Sequence, residues 1–138
     1  MRVVLDTNIL ISALMARGTP PDRLYEYWKE GRFQLATCER QLDEVNRVSR
    51  RPFFRERIKP SEAGRMVNDI RRLALMCDPL PSVERSPDPD DDWLLAVAEK
   101  AQADYLATGD KSDLLKLERH GTTRIVTARF LADGLERP

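Results

Sequence analysis

The chain is poor in the two residues that most often bind metals or staple a fold: in 138 residues it has two cysteines, Cys38 and Cys77, and one histidine, His120. A disulfide scaffold needs several cysteine pairs, and a cysteine-rich zinc site needs more sulfur than this, so neither organises the fold. The two cysteines read as small buried hydrophobes, and His120, beside Gly121, as a surface residue. A Ser-His-Asp triad would have to rest on that one histidine. No apolar run approaches the ~20 residues that span a bilayer. The opening MRVVLDTNIL meets an aspartate after three apolar residues, which is not a signal-peptide pattern. Excess charge is missing too, since 23 basic side chains balance 23 acidic ones. What is present, 41% hydrophobic and 33% charged residues, is the composition of a packed globular domain. The expectation is one domain over 1–138, cytoplasmic and not membrane-bound, whose chemistry rests on carboxylates.

Balanced in total, the charge is segregated along the chain. Residues 47–72 hold nine basic side chains, among them Arg50, Arg51 and Arg55, against three acids. Residues 84–92 reverse this, with Glu84, Asp88, Asp90, Asp91 and Asp92 against Arg85 alone. Such a split suits an anion-binding surface beside a cation-binding site, although solvated helix faces can show the same pattern.

Strands and helices alternate. Val3–Leu5 is a short apolar run typical of a buried parallel strand. Residues 21–30 fit an amphipathic helix ended by Gly31, and Phe33–Thr37 a second strand. Cys38, Leu42, Val45 and Ser49 set the inner stripe of the next helix, and residues 61–76 carry helical spacing throughout. Pro79, Pro81, Pro87 and Pro89 exclude regular structure over 78–89. A helix from Asp90 to about Gln102, a strand Tyr105–Thr108, a short helix Leu114–Leu117 and a strand Arg124–Thr127 complete the pattern. This alternation predicts an α/β fold: an α/β/α sandwich with a mainly parallel sheet of about four or five strands.

Parallel sheets put function at the carboxyl ends of their strands. Asp6 follows the first strand and Asp110 the third, where each is also a suitable helix or turn cap. At about 100° per residue, Asp91 shares a stripe with Leu94, Leu95 and Ala98, while Asp90 and Asp92 are each turned about 100° away. An inward carboxylate is costly unless a helix N-terminus or a divalent cation offsets it. On the helix after the second strand, Glu39 and Glu44 both flank the apolar stripe, and spacing does not separate them. Carboxylates without histidine or cysteine suit a hard cation, Mg²⁺ or Mn²⁺, and a phosphodiester substrate. The basic segment would then hold the polyanion.

Three blocks, Val3–Ser12, Asp88–Asp92 and Ala103–Asp110, together resemble the PIN-domain ribonucleases, and most of all the VapC-like toxin branch of type II toxin–antitoxin modules. The resemblance runs from residue 2 to about 131. It implies that Asp6, Glu44, Asp91 and Asp110 are the catalytic acids, with Asp6, Asp91 and Asp110 on the metal. Asn8, Ser12 and Thr108 match the polar residues that orient them. Asp92 stands where many relatives carry Asn or a neutral residue, so it is a candidate to share the metal, and Asp113 is a candidate either for the site or for a helix cap. The resemblance also implies an endoribonuclease acting on single-stranded or structured RNA, a cognate antitoxin and a homodimer. A catalytically silent PIN-like binding domain is the alternative, but it would be expected to have lost acids from these positions.

Rival α/β readings lack residues. A haloacid-dehalogenase-type phosphatase needs a second Asp where Asn8 stands, and a receiver domain needs a late lysine and a central phosphoacceptor that are not evident. No Gly-x-Gly-x-x-Gly or Gly-x-x-x-x-Gly-Lys loop occurs to cradle a nucleotide phosphate.

Overall fold

In a computed structural model, which describes residues 1–136, six strands form one sheet in the order β3-β2-β1-β4-β6-β5. The strands are β1 (Arg2–Leu5), β2 (Gln34–Thr37), β3 (Leu75–Met76), β4 (Tyr105–Thr108), β5 (Arg119–His120) and β6 (Thr123–Thr127). All pairings are parallel except β5 with β6. The helices are α1 (Thr7–Met15), α2 (Pro20–Lys29), α3 (Glu39–Ser49), α4 (Pro52–Arg55), α5 (Pro60–Leu73), α6 (Asp92–Ala101) and α7 (Ala128–Glu136).

The pleat divides the core. Val3 and Leu5 of β1 face a cluster shared with α1, α2, α3, α5 and α7, while Val4 faces a second cluster built on α6. Both faces of the sheet are therefore covered, which is why its strands are apolar throughout. The α/β/α sandwich is as expected. The strand count is higher because β3 and β5, at two residues each, are too short to show any period. The helix expected over 61–76 ends at Leu73: Ala74 turns extended, and Leu75 and Met76 pair with β2. An apolar run so short fits a helix stripe or a buried strand equally well, and only the open edge of β2 decided between them. The helix expected from Asp90 is a 3-10 turn at Pro89–Asp91 followed by α6, which Gln102 ends in the left-handed region at φ 49°.

Two features of this frame matter for function. The chain leaves β1 toward β2 and β3, then returns to place β4 on the other side of β1, so the strand order reverses between β1 and β4. That is the switch point where parallel sheets open a crevice. Second, α3 and α5 form an antiparallel hairpin. The Arg71–Glu39 ion pair joins the end of α5 to the start of α3, and a cleft of about 280 Å³ lies between Ser49 and Arg50 at one end and Pro60 and Gly64 at the other. Residues 50–59 are its closed tip. No helix among the described residues is long and apolar enough to cross a membrane.

Candidate active site

Asp6 leaves β1 at the switch point. Its amide donates to Ala107 O at 2.9 Å, which extends the β1–β4 ladder by one rung and fixes the Asp6 backbone. Its carboxylate caps α1, with Oδ1 accepting from the Asn8 amide at 3.4 Å, and Oδ2 accepts from Thr108 Oγ1 at 2.8 Å. Thr108 is fully buried at the end of β4, so the neighbouring strand holds the first strand's acid. Burial pushes the Asp6 carboxyl above its ordinary range, while the bonds from Thr108, Asn8 and Thr7 pull it back. The expected cap and the expected site residue are the same side chain.

Asp91 lies at the end of the 3-10 turn that opens α6, close enough to Asp6 for the two charges to interact. Burial pushes its carboxyl up to about 6, helped by the charges of Asp6, Asp88, Asp113 and Asp90. Asp91 stands at the N-cap of α6 but its side chain makes no capping bond, whereas Asp88 caps the preceding 3-10 turn by accepting from the Asp90 amide at 3.0 Å. The inward carboxylate is therefore left in a field of like charge.

The remaining predicted residues are placed unequally. Asp92 Oδ1 accepts from the Arg85 and Ser86 amides at 3.0 and 2.6 Å, so that oxygen clamps the proline-rich loop onto α6. Glu39 is spoken for by Arg71, at 2.6 and 2.8 Å from its two oxygens, whereas Glu44 is half-buried and enters no ion pair among the described residues. Structure thus distinguishes two glutamates that spacing left equal. Asp110 is exposed just beyond β4, and neither it nor Glu44 is among the principal charges acting on Asp91. Asp113 is among them and also pairs with Lys116 at 2.9 Å; Ser112, not Asp113, caps the short 3-10 helix at 113–117. Ser12 is half-buried one turn along α1 from the exposed Asn8. Among the described residues no three His, Cys, Asp or Glu side chains stand close enough to form a ready-made metal site. The donors around Asp91 are all carboxylate oxygens under mutual repulsion, a set that fits a hard divalent cation and not zinc. Arg50, Arg51 and Arg55 lie apart from this cluster, exposed at the α3–α5 tip.

One residue of this site was not anticipated. Gln41, fully buried on α3, donates from Nε2 to Leu5 O at 2.6 Å and to Thr7 Oγ1 at 3.5 Å, and accepts from Thr37 Oγ1 at 2.6 Å. It grips the residues on either side of Asp6 and ties them to α3 and β2. The signal was a glutamine on the inward stripe beside Leu42, where an apolar residue belongs. Asp78 does similar work for α3: Cys38 offers no side-chain cap, and Asp78 Oδ2 accepts from the Glu39 amide at 3.0 Å. Cys38 and Cys77 are buried free thiols, and burial pushes Cys38 up to about 11, so neither supplies a nucleophile.

The family model for the PIN domain matches residues 2–112, a span that contains Asp6, Glu44, Asp91 and Asp110. No curated protein and no solved structure matches the chain. PIN domains are nuclease-type domains that generally use divalent metals such as Mg²⁺. With Asp6 at the switch point of a six-stranded, mainly parallel sheet and a family-model match over residues 2–112 of 138, the chain belongs to the PIN domain family.

Proposed function

We propose that this protein is a metal-dependent endoribonuclease that hydrolyses RNA phosphodiester bonds, and that it is the toxin of a type II toxin–antitoxin module working as a cytoplasmic homodimer with a cognate antitoxin. The observation that carries the reading is Asp91: a half-buried carboxylate with no capping bond, raised first by burial and then by the negative charges of Asp6, Asp88, Asp113 and Asp90. A structural acid in that position would be paired or capped. In this reading Asp6, Asp91 and Asp110 hold Mg²⁺ or Mn²⁺, with Glu44 as the fourth acid. Bound there, the cation supplies charge neutralisation at the scissile phosphate and makes a nearby water more acidic.

The chain's own residues do the rest. Thr108 keeps the Asp6 Oδ2 oriented by a bond that any rotation of the carboxylate would break. The Asn8 amide and the start of α1 place partial positive charge beside the same group. Hydrolysis adds a water oxygen to phosphorus and releases the leaving ribose oxygen with a proton, so the acids must receive one proton as another is delivered. The silent-domain alternative is disfavoured because all four acids are present. Chelation with EDTA should abolish cleavage of single-stranded RNA, and Mg²⁺ or Mn²⁺ should restore it. Full activity in EDTA would refute the metal-dependent reading.

A further inference from the structure

The tip of the α3–α5 hairpin combines features that the carboxylate site does not use. Phe53 is 55% exposed, while its neighbour Phe54 turns inward against the core. The two rings meet edge to face at 5.1 Å, which fixes the plane of Phe53. Arg57 lies over the Phe53 ring, its guanidinium carbon 3.8 Å from the centroid, and is held there because Nη1 donates to Phe53 O at 2.6 Å. An exposed aromatic ring is thus braced by Arg57 on one face and by the Phe54 ring at 85° to its plane, with more than half of the residue still in water.

Its surroundings carry one sign of charge. Residues 47–59 contain six cations and a single acid, Glu56, which sits 3.8 Å from Arg57. Arg50, Arg51 and Arg55 enter no ion pair among the described residues. A second copy of so basic a tip would be repelled, and a lipid tail would not need the cations. An unpaired nucleotide needs both parts, because its base presents a π-face and its phosphate a negative charge. We propose that Phe53, backed by Arg57, is a stacking platform for an unpaired base of single-stranded RNA whose phosphates rest on Arg50, Arg51 and Arg55. This rests on the RNA reading above and sharpens it, since a duplex keeps its bases inside and cannot use the ring. Ser49 lies about 8 Å along the α3 axis from Glu44 at the rise of a helix, so a strand held at the tip can continue toward the acids.

The test measures binding of labelled oligoribonucleotides to the Asp6→Asn protein, which prevents cleavage. Three probes are compared: a single strand, the same sequence as a duplex, and a single strand with abasic positions. Phe53→Ala should raise the single-strand Kd about 5- to 150-fold, the range for losing one base stack. It should leave the duplex, the abasic strand and the slope of log Kd against log salt unchanged, and Phe53→Trp should restore single-strand binding. An equal loss on all three probes, or no loss on the single strand, overturns the platform. So does a Phe53→Ala protein whose mass in light scattering falls while its RNA affinity stays the same, which assigns the ring to a protein interface. Failure of the parent protein to bind any probe removes the RNA reading and the platform together. Binding through Phe53 without cleavage by the Asp6 protein in Mg²⁺ removes only the nuclease reading.

Discussion

The acidic crevice and the basic tip carry charge of opposite sign, and the protein treats the two in opposite ways. At the tip, arginines stand in water at the end of α3 and along α4, where mutual repulsion is screened and costs little. In the crevice, Asp6 and Asp91 are drawn partly out of water at the end of a buried strand and the start of a buried helix, and their carboxyls rise in consequence. Surface charge needs no structural explanation. Like charge held half-buried is costly, and the cation proposed above would offset that cost. The difference teaches where to expect catalysis to be fragile and where to expect binding to be adjustable.

The largest effect is expected within the acidic cluster. Asp91→Asn should lower RNA cleavage by roughly a hundredfold or more, the scale of losing a group that acts on the transition state. Asp92→Asn should do much less, because the amide oxygen can still accept from Arg85 and Ser86. Steady-state cleavage rates for the two variants decide it, and equal losses would refute the choice of Asp91 over Asp92.

At the tip the effect should be graded. Replacing Arg50, Arg51 and Arg55 together by Ala should weaken RNA binding and reduce the salt slope by about 2, if each contacts one phosphate of a single strand. A salt titration with an unchanged slope would assign these arginines to solubility or to a partner surface.

A smaller change should follow at Gln41. Gln41→Leu leaves Leu5 O and the Thr37 hydroxyl without their buried partner, at a cost of about 1–3 kcal/mol in denaturant unfolding. Because Leu5 immediately precedes Asp6, cleavage should also fall, by more than the unfolded fraction explains. A variant that is destabilised yet fully active would make Gln41 a core residue and nothing else.

The smallest effect is in pH. In the folded state Asp91 titrates near 6, above its ordinary 3.8, so folding favours its protonated form. That contribution to stability is fully present below pH 4 and is lost as pH rises through about 6. The metal-free protein should therefore melt at a higher temperature near pH 5 than near pH 7.5, apart from other titrating groups. In Asp91→Asn this difference should shrink, and added Mg²⁺ should shrink it in the parent protein.

Much of this was legible in the residues. Val3–Leu5 and Tyr105–Thr108 declare themselves as strands because a sheet covered on both faces demands unbroken apolar runs. An acid after each such strand then marks the carboxyl edge. The spacing from Leu94, Leu95 and Ala98 back to Asp91 selects one of three adjacent aspartates, since a helix fixes the angle between side chains.

The layers, the main strands along the chain and the choice of Asp91 on the stripe of Leu94, Leu95 and Ala98 follow from the sequence, because periodicity and strand-end position are local properties of the chain. Tertiary structure decided what depends on partners far away in sequence. It made a strand of Leu75 and Met76, because β2 had a free edge to pair. It set Glu39 apart from Glu44, because Arg71 arrives from the far end of α5 and binds only the first. It turned Asp92 into a loop clamp, because the proline-rich segment folds back over the start of α6. It made Gln41 a bridge between α3 and the first strand, because a buried amide must satisfy its hydrogen bonds wherever the fold supplies partners. Local spacing fixes a side chain's direction; only the packed neighbours fix what it meets there.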